Sequence, residues 1–74
     1  MDHHQTVDAR GLLCPLPVLK ARKRLQAMAN GEVLQLICDD PAAVIDVPHF
    51  CNEQGYELLE VEDTASGRAY LLRK

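Results

Sequence analysis

Tryptophan is absent from the 74-residue sequence, and the aromatic complement is one Phe and two Tyr. So sparse a set does not furnish a stacking platform for single-stranded nucleic acid. The core must therefore be aliphatic, and a hydrophobic share of 47% is enough to build one. Positive charge is also in the minority: 8 Lys and Arg against 11 Asp and Glu leave a net charge of −3. That balance disfavours nucleic acid or an anionic membrane as a partner held by bulk charge. No apolar run approaches the length of a bilayer span, and the N-terminus lacks the blocks of a signal peptide. A soluble cytoplasmic protein is the expectation. The cysteines are three, an odd number without paired spacing, which argues against a disulfide scaffold and for free thiols. A chain this short is expected to form one domain over residues 1–74, with residues 1–5 loose.

Along that chain the apolar periods alternate between those of strand and helix. Thr6–Ala9 alternates and reads as a first strand, followed by a turn at Gly11 that Leu12 and Leu13 would anchor to the core. Residues 15 to about 29 read as a first helix, with Val18, Ala21, Leu25 and Met28 as its buried stripe. Asn30-Gly31 would end it, Gly31 taking a left-handed cap. Glu32–Cys38 is a second strand, and Asp39-Asp40-Pro41 announces a second helix over Ala42–Gln54. Val44, Val47, Phe50 and Cys51 are expected to face inward there, with an interruption at Pro48. Tyr56–Glu62 and Arg68–Arg73 form a hairpin about a turn at 63–67. The order predicts a βαβαββ two-layer α/β (α+β) sandwich, both helices on one face of a four-stranded sheet.

Cys14 is the residue with chemistry. It stands at the start of the first helix, where unpartnered N–H groups and the positive end of the helix dipole favour thiolate, the nucleophilic form. Pro15 and Pro17 carry no N–H and stiffen the turn, leaving the Leu16 N–H to point at sulfur. A lowered thiol pKa is expected from that position. The competing reading is a buried small hydrophobe, which is how free cysteines usually serve, and Cys38 and Cys51 are read that way. Asp40 is read as a helix cap; lying near Cys14 instead, it would raise the thiol pKa. The adjacent His3 and His4 read as solvated tail, and His49 as a helix surface residue and not a general base.

The segment Asp8-Ala9-Arg10-Gly11-Leu12-Leu13-Cys14-Pro15-Leu16-Pro17 resembles the N-terminal signature of the TusA/SirA sulfur-carrier family, whose core is Cys-Pro-x-Pro. The similarity continues through Asn30-Gly31-Glu32, Asp39-Asp40-Pro41-Ala42, Asp46-Val47-Pro48-His49-Phe50-Cys51 and Tyr70-Leu71-Leu72-Arg73-Lys74. The resemblance implies a fourth strand antiparallel to the other three. It also implies that Cys14 takes sulfane sulfur from a cysteine desulfurase or rhodanese-type donor, holds it as a persulfide, and relays it to a downstream acceptor protein. Thiolation of tRNA and sulfur metabolism are the pathways it offers. No cofactor and no metal are implied, and neither a membrane nor direct contact with nucleic acid. Such a carrier works with partners and not as a stand-alone enzyme. Many relatives carry a basic residue where this chain has Ile45. Arg10 and the cluster Lys20, Arg22, Lys23, Arg24 are the candidate docking charges, unless that cluster is only a solvated helix face. The alternative function is a regulatory or interaction module using the basic face of the first helix; a metal site of Cys14 with His3 and His4 ranks below both.

Overall fold

The computed structural model describes residues 3–74. Its elements run β1 (Gln5–Asp8), α1 (Leu16–Ala27), β2 (Val33–Cys38), α2 (Ala43–Gln54), β3 (Glu57–Thr64) and β4 (Gly67–Arg73). The sheet order is β1-β2-β4-β3, with β1 parallel to β2 and β4 antiparallel to both its neighbours. This is the βαβαββ sandwich expected, including the reversed fourth strand. The two helices cover the face that carries Val7, Leu34, Leu36, Tyr70 and Leu72, all buried. From α1 and its C-terminal cap, Ala21, Leu25 and Met28 fill that layer, and from α2, Val47, Phe50 and Cys51. Aliphatic burial of this kind is the main stabilising term, and the rings of Phe50 and Tyr56 add a tilted contact at 5.7 Å.

Several local expectations need correction. Helix α1 ends at Ala27, not near 29, and its cap is Met28 in extended backbone. Gly31 lies beyond it in the following turn. The reason is a partner from the far end of the chain: Lys74 Nζ donates to the Gln26 carbonyl at 3.2 Å and the Met28 carbonyl at 2.7 Å. A cation placed there satisfies last-turn carbonyls and opposes the negative end of the dipole.

Pro48 does not interrupt α2, which is continuous from Ala43 to Gln54. Pro48 and Val44 are both exposed, so the carbonyl left without a helical donor lies on the solvent side, where water serves it. Val44, expected inward, is 45% exposed, and Ala43 takes its place in the core. Leu13 does not anchor the turn; it is 70% exposed, and Leu12 alone packs against the core.

The expected loose tail at residues 1–5 lies partly outside the described residues. Within them, Gln5 already belongs to β1, and His4 is tied at both ends of its residue. Its backbone N–H donates to the Val33 carbonyl at 2.8 Å, and its Nδ1 accepts the Val33 N–H at 3.0 Å. His4 is thus part of the β1–β2 junction and not a solvated tail. The hairpin strands extend to Thr64 and Gly67, which leaves Ala65-Ser66 as the turn. Thr64 Oγ1 holds it by donating to the Gly67 carbonyl at 2.8 Å.

Candidate functional site

Parallel pairing of β1 and β2 puts their C-terminal ends on one edge of the sheet, so the two loops that leave them toward α1 and α2 are neighbours. The first loop carries Cys14 and the second carries Asp39 and Asp40. The second clamps the first. Both carboxylate oxygens of Asp39 accept the Gly11 N–H, at 3.0 and 3.1 Å. Asp40 Oδ2 accepts the Cys14 N–H at 2.6 Å, while its Oδ1 accepts the Ala42 N–H at 3.1 Å. The two readings of Asp40 therefore both hold: it organises the start of α2 and it lies beside Cys14.

One carboxylate thus ties the cysteine loop to the second helix. Asp40→Ala is expected to cost about 2 kcal/mol, since it leaves two backbone donors without their acceptor. Thermal or urea unfolding checks the figure, and Asp40→Asn, which keeps an acceptor, should recover part of it.

Cys14 precedes Pro15, the residue that caps α1, and so stands one position outside the expected cap. Its side chain is exposed, whereas Cys38 and Cys51 are buried. The Leu16 N–H does not reach the sulfur; it donates to the Leu13 carbonyl at 2.9 Å. With that donor engaged, Pro15 and Pro17 lacking theirs, and the Cys14 N–H given to Asp40, the helix start has little to offer a thiolate.

The electrostatics run the other way from the expected lowering. The Asp46 carboxylate, as hydrogen-bond acceptor for the thiol, holds the Cys14 pKa above its ordinary value; partial desolvation and the charges of Asp46 and Asp40 push the same way. The surroundings therefore favour the protonated form of free Cys14. Burial drives Cys38 and Cys51 up to about 11, which disfavours the nucleophilic thiolate at both.

Asp46 is the site residue the sequence reading missed. It lies in the first turn of α2, half-buried, and lines two adjoining hollows with Cys14 and Val18. His49 lines the outer hollow as well, exposed and paired with Glu53 at 3.4 Å, consistent with a helix surface residue. Exposed apolar side chains occur on both segments: Leu13 and Leu16 flank Cys14 in sequence, and Val44 and Ile45 precede Asp46 on α2.

The candidate docking charges lie elsewhere. Arg10 forms an ion pair with Asp8 at 2.8 Å and also donates to Ser66 Oγ at 2.8 Å. It is thereby committed to the β1 end and the hairpin turn, and it holds Asp8 down to about 2. Lys20, Lys23 and Arg24 line a groove against β1 with Thr6 and Asp8, and Arg24 donates to Gln5 at 3.1 Å. Arg22 is exposed on the same helix. None of these four basic residues lines either hollow that Cys14 lines.

An exposed, clamped thiol on a small two-layer sandwich, with the other two cysteines sealed in the core, is an arrangement suited to presenting one sulfur atom. Comparison with known proteins gives the family. The profile of the family described as Sulfurtransferase TusA matches residues 5–74. The Sulfur carrier protein TusA of Allochromatium vinosum is 42% identical over 73 residues, covering 99% of this chain and 96% of that protein. The crystal structure of a SirA-like protein from Desulfitobacterium hafniense superposes with a TM-score of 0.79 at 25% identity, covering 95% of each chain. The chain belongs to the TusA sulfurtransferase family. Among the described residues no helix is long and apolar enough to cross a membrane.

Proposed function

We propose that this protein is a cytoplasmic sulfur carrier whose Cys14 accepts sulfane sulfur from a donor protein, holds it as a persulfide, and delivers it to an acceptor protein. The observation that carries the reading is the presentation of Cys14: exposed on a loop pinned by Asp39 and Asp40, while Cys38 and Cys51 are buried. In loading, the Cys14 sulfur attacks the outer sulfur of a donor persulfide. A new S–S bond forms, the donor's S–S bond breaks, and the donor sulfur leaves as a thiolate that takes up the proton Cys14 gives up. Unloading repeats the exchange with an acceptor thiol. Neither step needs an oxidant or a reductant.

A raised pKa does not forbid this chemistry. It lowers the thiolate fraction, but the thiolate that forms is the more nucleophilic for it. A cysteine desulfurase or a rhodanese-type protein fits the donor role, with tRNA thiolation or sulfur metabolism as the downstream use. Direct contact with nucleic acid forms no part of the proposal.

The test is intact-mass measurement after incubation with a sulfane-sulfur donor. A gain of one sulfur atom, located on the Cys14 peptide and removed by a thiol reductant, is expected. Uptake of none, or uptake at another residue, overturns the proposal.

The groove lined by Lys20, Lys23 and Arg24 favours an added role in docking an acidic partner surface. If it serves so, Lys20→Glu with Lys23→Glu slows association with the sulfur donor, and added salt slows the wild type in the same way. Stopped-flow association rates check both effects. Rates unchanged by charge reversal return the face to solvent.

A further inference from the structure

Asp46 is not accounted for by the fold. Its Oδ2 is buried and has no hydrogen-bond partner among the described residues. A buried carboxylate oxygen without a donor costs free energy, and such groups are seldom kept without a use. Its neighbours in α2, Ala43 and Val47, are core residues, so the carboxylate stands at the margin of the core and not on the free face of the helix. From there it borders Cys14 in both hollows. The other ionisable groups facing these hollows are Asp40, His49 and Glu53; α1 contributes only Pro17 and Val18. Asp40 fixes the Cys14 backbone at 2.6 Å, which holds the residue beside Asp46.

We infer that Asp46 is a positioning residue that distinguishes the empty carrier from the loaded one: its carboxylate engages the Cys14 thiol proton when no sulfur is carried, and repels the anionic terminal sulfur of the persulfide when one is. The inference rests on the carrier reading and goes beyond it. In the empty state the proton stays on sulfur, consistent with the upward shift of the Cys14 thiol, and the carrier resists stray electrophiles and oxidants. Loading replaces that proton. The Cys14 sulfur is now bonded to a second sulfur, whose S–H ionises more readily than a thiol. An anion beside the carboxylates of Asp46 and Asp40 is repelled by both. The outer sulfur turns to solvent, where an acceptor thiolate attacks it. Discharge restores the thiol and its hydrogen bond, so Asp46 favours release over retention.

Two readouts on the whole protein test this. The first is the pH midpoint for alkylation of Cys14 by iodoacetamide, followed on the Cys14 peptide, in the wild type, Asp46→Asn and Asp46→Ser. Both variants should show a lower midpoint. Below the midpoints the thiolate fraction at fixed pH rises about tenfold for each unit of displacement, and alkylation, offset by the weaker nucleophilicity of the lower-pKa thiolate, should be faster by about threefold per unit. The wild type needs no variant: its Cys14 midpoint should be lower in denaturing urea than in the folded state. The second readout is the loaded fraction at equilibrium with a fixed ratio of cysteine persulfide to cysteine, read by intact mass; both variants should retain more sulfur than the wild type. A midpoint unchanged by the substitutions and by urea overturns the inference. So does a loaded fraction equal to the wild type's. A wild type that takes up no sulfur overturns the carrier reading, and this one with it.

Discussion

Cys14→Ala is expected to take up no sulfur at all, although two cysteines remain. The loss should be complete because the remaining thiols fail on two separate grounds. Cys38 is 2% exposed and Cys51 3%, so a donor's persulfide cannot reach either sulfur without unfolding the sheet or α2. Both have pKa values of about 11, which leaves a negligible thiolate fraction at neutral pH. The substitution itself is mild. The Cys14 side chain is exposed, and the N–H bonded to Asp40 belongs to the backbone that Ala retains. Loss of uptake with a melting temperature like the wild type's therefore assigns the chemistry to one sulfur atom. Cys38→Ala and Cys51→Ala should give the opposite result, with full uptake per folded molecule and lower stability from lost core volume. Residual uptake by Cys14→Ala in the folded state, measured by intact mass, would mean that the core opens often enough to expose a second thiol.

The order of elements and the exposure of Cys14 were legible in the sequence; the electrostatic sign at that cysteine was not. Helix and strand periods are local, so α1, β2 and α2 appear within a few residues of their expected bounds. Where the end of α1 failed, the cause was a distant partner. Lys74 reaches back to the end of α1 across the fold, and nothing near Asn30-Gly31 signals it. Thr64 and Gly67 pair as strand because a hydroxyl completes the turn. Pro48 has the usual signature of a helix break, but it falls on the solvent side of α2, where water serves the carbonyl it leaves without a donor. The site failed in the same manner. A helix start beside a cysteine suggests thiolate, but Asp46 is 32 positions further on in sequence and comes alongside through the parallel pairing of β1 and β2. A carboxylate in contact outweighs a partial dipole whose donors are absent or already bonded. The basic residues Lys20, Lys23 and Arg24 were readable as one helix face, but their separation from the thiol depends on which edge of α1 meets β1.

Gly67→Ala is expected to destabilise the protein by about 3 kcal/mol, a large part of the roughly 4–11 kcal/mol available to a domain of this length. Gly67 opens β4 with φ at +148°, a backbone conformation that side chains disfavour. The space is also closed. A Cβ there would lie 2.5 Å from the Cys38 carbonyl oxygen and 3.1 Å from its carbon, both backbone atoms of the neighbouring strand. Neither can rotate aside. Relief requires β2 and β4 to part at the Cys38–Arg68 pair, next to the Asp39-Asp40 segment that clamps the cysteine loop. Gly55 provides the control. It caps α2 in left-handed backbone at φ +76°, but a Cβ there meets nothing within 4 Å, so Gly55→Ala should cost only the conformational penalty of about 1 kcal/mol. The difference between the two variants contains the steric contribution of close strand approach together with the difference in their backbone penalties. At roughly 4–8 °C per kcal/mol it should appear as a gap of about 10 °C between their melting temperatures. Equal melting temperatures would show that the β2–β4 seam yields at little cost, and the clamp on Cys14 would then have to be held by α2 and not by the sheet.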